Sequence, residues 1–238
     1  MKNIKKLQNL IIAHRGIHDN KSIAENSLPA FQKALQNNIP IELDIQLTKD
    51  KQLIVFHDNN LLRMTGENKY IKNLTLEEIK QLYLLNTKEK IPTLEEVLTL
   101  VNNKVLLDIE LKNTTKIKEL VNITLAKLKQ YHGDLIIKSF NPEIIRYMRK
   151  KNPTYTYGIL LSAYYPNKLY KLLSKSKILL KYYKPDFLAI SKNLINNKNI
   201  KNYYKTNPIL IWTITSKEEL DRYKHTNYSY ICNNLPYK

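Results

Sequence analysis

Residues 41–58 read Ile41-Glu42-Leu43-Asp44-Ile45-Gln46-Leu47-Thr48-Lys49-Asp50-Lys51-Gln52-Leu53-Ile54-Val55-Phe56-His57-Asp58. As far as Leu47 the pattern has the two-residue period of a strand, so Glu42 and Asp44 point to the same side of it. Thr48-Lys49-Asp50-Lys51-Gln52 is polar and far too short for a helix. It reads as a hairpin that sends residues 53–56 back antiparallel. With the turn centred near Asp50, Asp44 stands opposite Phe56 and His57 lies beside Leu43.

Working outward, strand patterns recur at 10–13, 105–111, 135–140, 155–161, 187–190, 209–214 and 228–232. Amphipathic stretches with start signals lie between most of them. Asn26-Ser27 opens one, Thr75 and Thr93 each precede Leu-Glu-Glu, and Asn141-Pro142-Glu143 and Ser216-Lys217-Glu218-Glu219 open two more. Repeated strand–helix units imply parallel strands joined by crossover helices. Counting 53–56 as an excursion leaves eight units in 238 residues, the pattern of an α/β (β/α)₈ TIM barrel of about 250 residues. A doubly wound open sheet is the competitor, but its nucleotide-binding versions carry a glycine-rich phosphate loop that this chain lacks. The expectation is one barrel domain, 1–238, with a small insertion at about 47–90 after the second barrel strand.

Composition narrows the class. With 43% hydrophobic and 25% charged residues, 4 Gly and 9 Pro, the chain is neither collagen-like, disordered nor a disulfide scaffold. Its one cysteine, Cys232, favours a reducing compartment. The apolar run 10–13 is too short for a secretory leader, and nothing reaches the roughly 20 residues of a membrane span. A cytoplasmic enzyme, with peripheral membrane contact as an option, is therefore expected. The net charge of +18 is uneven: residues 1–110 hold 15 Lys+Arg against 14 Asp+Glu, and residues 111–238 hold 24 against 7. Either this is a compositional habit spread over a solvated surface, or one face meets phosphates, anionic lipid or nucleic acid.

The chemistry concentrates at strand ends. Glu42 and Asp44 share one face of a strand, and Asp108, Glu110 and Lys112 repeat that spacing among Leu107, Ile109 and Leu111. Inward carboxylates cost too much to desolvate unless they are paired or metal-bound, and acids from neighbouring strands can converge on a hard divalent cation. His14, in His14-Arg15-Gly16, follows the first strand, and His57 ends the hairpin return; both suit acid–base work near neutral pH. His18, His132 and His225 sit in polar contexts and receive no role.

The ordered set His14-Arg15-Gly16, Glu25-Asn26-Ser27, Glu42-Leu43-Asp44, His57-Asp58 with Arg63 and Thr65, and Glu110-Leu111-Lys112 resembles the glycerophosphodiester phosphodiesterase family. Ser139-Phe140, Trp212-Thr213 and the segment from Ile231 to Pro236 resemble that family's later strand ends, so the likeness covers nearly the whole chain. The resemblance implies a phosphodiesterase of glycerol and lipid metabolism that uses one divalent metal ion, Mg²⁺ or Ca²⁺. Glu42, Asp44 and Glu110 would be its ligands, and His14 and His57 the general acid and base. Arg15 and Lys112 would hold the phosphate, with Glu25 and Asn26 nearby, and Trp212 would line the glycerol or head-group side. Asn26 has a plainer reading too, as the N-cap of the helix that follows.

Three departures stand against the family pattern: Ser27 in place of Thr, Asn233 in place of Thr, and Tyr237 after Pro236 in place of an acid. The helix that closes the barrel after the last strand is expected to be missing, with residues 2–9, a second subunit or membrane as candidate cover. Two other functions compete. One is a phospholipase using the Lys- and Leu-rich stretch 167–181 between Tyr164-Tyr165 and Tyr182-Tyr183 as an interfacial helix. The other is a non-enzymatic binder of nucleic acid or another polyanion, for which an intact metal-and-histidine set would be gratuitous. The expected partner is a small glycerophosphodiester, with at most weak contact to anionic membrane and no nucleic acid.

Overall fold

The computed structural model describes residues 7–162, 181–198, 200, 202, 207–223 and 228–233. Tyr164-Tyr165, the stretch 167–180, His225 and everything beyond Asn233 lie outside these residues.

Strand β1 is Ile11–Ala13, followed by helix α1 (Leu28–Gln36), β2 (Ile41–Leu47) and the return strand β3 (Leu53–Val55). The segment after β3 carries α2 (Leu62–Thr65), a 3₁₀ turn (Ile71–Asn73) and α3 (Leu76–Lys80) before α4 (Leu94–Val101). The chain continues through β4 (Leu107–Leu111), α5 (Ile117–Leu128), β5 (Leu135–Ser139), α6 (Pro142–Lys151) and β6 (Thr156–Leu161). Strands β7 (Phe187–Ser191), β8 (Ile209–Ile214) and β9 (Ser229–Cys232) follow, with a 3₁₀ turn (Lys192–Leu194) after β7 and α7 (Lys217–Tyr223) before β9.

Eight strands pair in parallel in the order β1-β2-β4-β5-β6-β7-β8-β9, and β9 returns to β1 through Ile11↔Tyr230, Ile12↔Ile231 and Ala13↔Cys232. This is a closed (β/α)₈ barrel. β3 alone runs antiparallel, on β2, with Ile45↔Val55 and Leu47↔Leu53. That register extends to Asp44 opposite Phe56, and the Phe56 amide donates to the Asp44 carbonyl at 2.9 Å.

Side-chain parity sorts the interior into layers. Ile41, Leu43, Ile45, Leu107, Ile109, Leu111 and Ile137 point outward into a core shared with Phe31, Val97, Leu120 and Ile144 of the helices. Leu7, Ile12, Ile136, Leu160, Phe187, Ala189, Leu210 and Ile231 form a separate apolar cluster. Leu7 comes from the N-terminal segment and is wholly buried there. Gly158 faces Phe187, whose ring would lie 2.3 Å from a Cβ at that position. The segment after β3 has its own small core of Ile54, Phe56, Leu61, Met64, Ile71, Ile79 and Leu84. Both Thr-Leu-Glu-Glu starts form capping boxes, Thr75 with Glu78 and Thr93 with Glu96. No helix among the described residues is long and apolar enough to cross a membrane.

Candidate active site

At the end of β1 the chain turns through His14-Arg15-Gly16, with Arg15 and Gly16 at left-handed φ of 56° and 81°. A Cβ on Gly16 would come 2.8 Å from the Ala30 backbone, so the turn seats closely on α1 only because residue 16 is glycine. The Arg15 carbonyl accepts from the Asn26 amide at 2.9 Å, which ties this turn to the entry of α1. The cap of α1 is Ser27, whose hydroxyl accepts from the Ala30 amide. Asn26 is therefore not the cap. It sits at a left-handed φ of 54° and is buried, its Nδ2 donating to Asp44 Oδ2 at 3.0 Å.

The inward face of β2 and β4 carries Glu42, Asp44, Asp108 and Glu110, all buried. The parallel register sets Glu42 beside Asp108 and Asp44 beside Glu110. Oxygens of Glu42, Asp44 and Glu110 lie within 4.8 Å of one another. Cations surround them. Lys112 Nζ is 2.8 Å from Glu110 Oε1 and 3.4 Å from Asp44 Oδ1, while Arg15 Nε is 3.4 Å from Asp44 Oδ2. The Arg15 amide donates to Glu42 Oε2 at 3.1 Å. Burial pushes the Asp44 carboxyl up, but Lys112, His57 and Arg15 outweigh it and hold it below the ordinary carboxylate range. Burial pulls Lys112 down, and Glu110 and Asp44 more than reverse that. Both therefore stay charged.

One group here was not expected from the sequence. Lys138 on β5 donates to Asp108 Oδ2 at 2.6 Å and to Glu42 Oε1 at 3.1 Å, and is itself buried. Burial alone would strip its proton; the carboxylates of Asp108, Glu42 and Glu110 hold its amine above the ordinary lysine value. The signal was available in Leu135-Ile136-Ile137-Lys138, where a lysine takes the same parity as inward Ile136.

The two histidines are oriented from behind. His14 Nδ1 lies 2.7 Å from Asn233 Oδ1, and His57 Nδ1 2.6 Å from Asp58 Oδ1. With oxygen acceptors there, each Nδ1 carries a hydrogen and each Nε2 is left for chemistry. Asp58 is itself held by Arg63 Nε at 2.6 Å, and Arg63 reaches Glu25 Oε1 at 2.6 Å. Glu25 also takes Arg15 at 2.7 Å and Asn20 at 2.9 Å. Burial pushes Glu25 up, and the Arg63 and Arg15 contacts more than offset it, leaving it well below the carboxylate range.

A cavity of about 130 Å³ brings these groups together: His14, Arg15, Glu42, His57, Glu110 and Lys138 on one side, Phe140, Leu160, Trp212, Thr213 and Ile231 on the other. Trp212 packs edge-on against Phe140 at 5.7 Å, and its indole N–H has no hydrogen-bond partner among the described residues. Neither His18 nor His132 lines this cavity.

The donor set fits a hard divalent cation. Three buried carboxylates converge, and the buried Asn26 Oδ1 beside them lacks a hydrogen-bond donor among the described residues. Such oxygens are what Mg²⁺ and Ca²⁺ take.

A closed barrel with carboxylates, two histidines and fixed cations where its strands end defines an enzyme for anionic substrates. The sequence profile of the Glycerophosphoryl diester phosphodiesterase family matches residues 14–234. Among curated relatives, the glycerophosphodiester phosphodiesterase of Caldanaerobacter subterraneus subsp. tengcongensis is 34% identical over 227 residues, covering 91% of this chain and 90% of that one. Among solved structures, an Oleispira antarctica phosphodiesterase in complex with the product sn-glycerol-3-phosphate aligns with a TM-score of 0.81 at 23% identity, over 98% of this chain and 95% of that one. The Thermotoga maritima glycerophosphodiester phosphodiesterase aligns at 0.74 and 26% identity, over 94% of each. The chain belongs to the glycerophosphoryl diester phosphodiesterase family and is an enzyme of that kind.

Proposed function

We propose that this enzyme hydrolyses glycerophosphodiesters to sn-glycerol 3-phosphate and an alcohol, with one divalent metal ion, at the cavity between β1, β2 and β4. The observation that carries this reading is that His14, Arg15, His57, Glu42 and Glu110 line the same cavity as Trp212. Glu42, Asp44 and Glu110 would hold the metal ion. When bound, the ion offsets the charge of the phosphodiester as it builds toward the transition state.

Arg15 and Lys112 bring two further cations to the phosphate oxygens, already fixed in place by Glu25, Asp44 and Glu110. Burial first, and the Arg15 cation second, pull the His14 imidazole down to about 3, so its Nε2 is neutral and able to accept the proton of the attacking oxygen. That oxygen belongs to water, or to the neighbouring glycerol hydroxyl, in which case a cyclic glycerol phosphate forms and water then opens it to glycerol 3-phosphate. His57, held by Asp58, gives its proton to the leaving alkoxide. Trp212, Phe140 and Leu160 form an apolar wall against which the glycerol carbons lie. The working unit is a single barrel domain with the segment after β2 as its insertion, in the cytoplasm.

The test is a panel of glycerophosphocholine, glycerophosphoethanolamine, glycerophosphoinositol and lysophospholipids, each with Mg²⁺ or Ca²⁺ after chelation, measuring glycerol 3-phosphate from the soluble diesters and the freed alcohol from the lysophospholipids. Metal-restored release from the soluble diesters is expected. Turnover confined to the lysophospholipids, or none at all, would overturn the reading.

A further inference from the structure

A second cavity, of about 480 Å³, lies between the insertion and the β4–α5 connection, with Lys112 in its lining. Tyr70 and Lys72, at the 3₁₀ turn, supply one wall; Lys112, Thr115 and Lys116 supply the other. Its lining holds three lysines, Lys72, Lys112 and Lys116, and no carboxylate. Lys72 and Lys116 are exposed, whereas Lys112 is shared with the carboxylate cluster through its contacts to Glu110 and Asp44. The groove therefore starts where the phosphate would be held.

A phosphodiester carries two substituents. The side bounded by Trp212 and Phe140 is small and apolar. The other side is wide and cationic. We infer that the groove receives the leaving alcohol and selects alcohols that carry a second anionic group, a phosphomonoester above all. This rests on the diesterase reading above. A quaternary ammonium there would meet three lysines and no carboxylate, with the Tyr70 ring as the aromatic face that could attract it, whereas a phosphate would draw both Lys72 and Lys116, so the groove discriminates by repulsion as well as attraction. Both lysines being exposed, the preference is screened by salt.

The test compares glycerophosphoinositol 4-phosphate with glycerophosphoinositol, which differ only by the phosphomonoester, in wild type and in the double variant Lys72→Gln/Lys116→Gln. At low salt the wild type is expected to favour the phosphorylated diester in kcat/KM by about three- to tenfold, the scale of two exposed charge contacts. The double variant should lose that preference while turning over glycerophosphoinositol as before, and raised salt should erase it in the wild type. Equal kcat/KM for the two diesters in wild type, or a preference that survives in the double variant, overturns the inference. Calorimetric binding of both diesters to the metal-free protein is measured alongside. If neither is hydrolysed, the diesterase reading fails, and tighter Lys72/Lys116-dependent binding of the phosphorylated diester still decides for or against the groove.

Discussion

Lys138 sets its Nζ 2.6 Å from Asp108 Oδ2 and 3.1 Å from Glu42 Oε1, with all three side chains closed to solvent. The barrel thus encloses four inward carboxylates on two adjacent strands and places one cation from the third strand against the pair farther from Lys112. Burial pushes the Asp108 carboxyl up to about 7 against the pull of Lys138; without Lys138 it would have no partner cation among the described residues, and Glu42 would lose the contact that fixes one of its oxygens. Lys138→Met should cost about 3–5 kcal/mol in denaturant unfolding, the penalty for orphaning a buried charge. Adding Asp108→Asn should recover much of it. Equal stability of wild type and Lys138→Met would show that Asp108 is not charged in the fold.

The carboxylate cluster makes a separate prediction. Glu42→Gln, Asp44→Asn and Glu110→Gln each remove one hard ligand while keeping the volume. Each should abolish the rise in melting temperature that Mg²⁺ or Ca²⁺ gives the wild type, since a ligand stabilises only the state that binds it. Turnover should fall with it. Asp108→Asn should keep a metal response, because its carboxylate is turned to Lys138 rather than to the cluster. A full metal-induced shift in all three cluster variants would remove the ligand assignment.

How much of this was legible in advance follows from sequence distance. The hairpin register, the inward pairing of Glu42 with Asp44 and the capping boxes at Thr75 and Thr93 are decided within a few residues, and the structure reproduces them. At Asn26 only the plainer reading fails: Ser27 takes the cap, because the backbone turns left-handed at Asn26 and aims its side chain at Asp44. The contact of His14 with Asn233 spans 219 positions and exists only because β9 closes on β1, so Asn233 could be seen in the sequence only as a departure from the family pattern. Lys138 was passed over for another reason. A lysine in a strand reads as solvated until β5 is placed beside β4, with Glu110 opposite it.

His14 also sets a pH dependence. Its imidazole is pulled down to about 3 in the fold, against about 6.5 in the unfolded chain. Between these values the unfolded state binds a proton that the folded state does not, so stability is full above pH 6.5 and declines as pH falls toward 3. The ring lines an open cavity, so by pH 5 the loss should be about 1 kcal/mol rather than the full linkage value. His14→Asn should flatten the slope. NMR titration of the metal-free protein gives the direct check: a His14 resonance with a midpoint between 6 and 7 would sink the argument.

Either histidine replaced by alanine should lower kcat by about 10²–10⁴, the usual worth of one acid–base group, with the metal-induced shift in melting temperature retained. His18→Ala, away from the cavity, should leave kcat unchanged. A dead His18→Ala beside an active His14→Ala would reverse the assignment.

The insertion enters the chemistry through Arg63. Its guanidinium joins Glu25 on the barrel side to Asp58, and Asp58 takes the Nδ1 hydrogen of His57. Arg63 does not line the cavity, so it acts as a positioning residue. Arg63→Ala would free Asp58 to turn from His57 and leave the buried Glu25 with Arg15 as its remaining arginine. Arg63→Lys cannot serve both carboxylates at once, because it lacks the planar fork. Both variants should lower kcat by about tenfold or more, with KM little changed. A merely structural role would lower the amount of folded enzyme without altering its pH–rate profile. A positioning role should alter that profile, because the carboxylate that orients the His57 ring has moved. Unchanged profiles in Arg63→Ala and Asp58→Asn alike would detach this chain of contacts from catalysis.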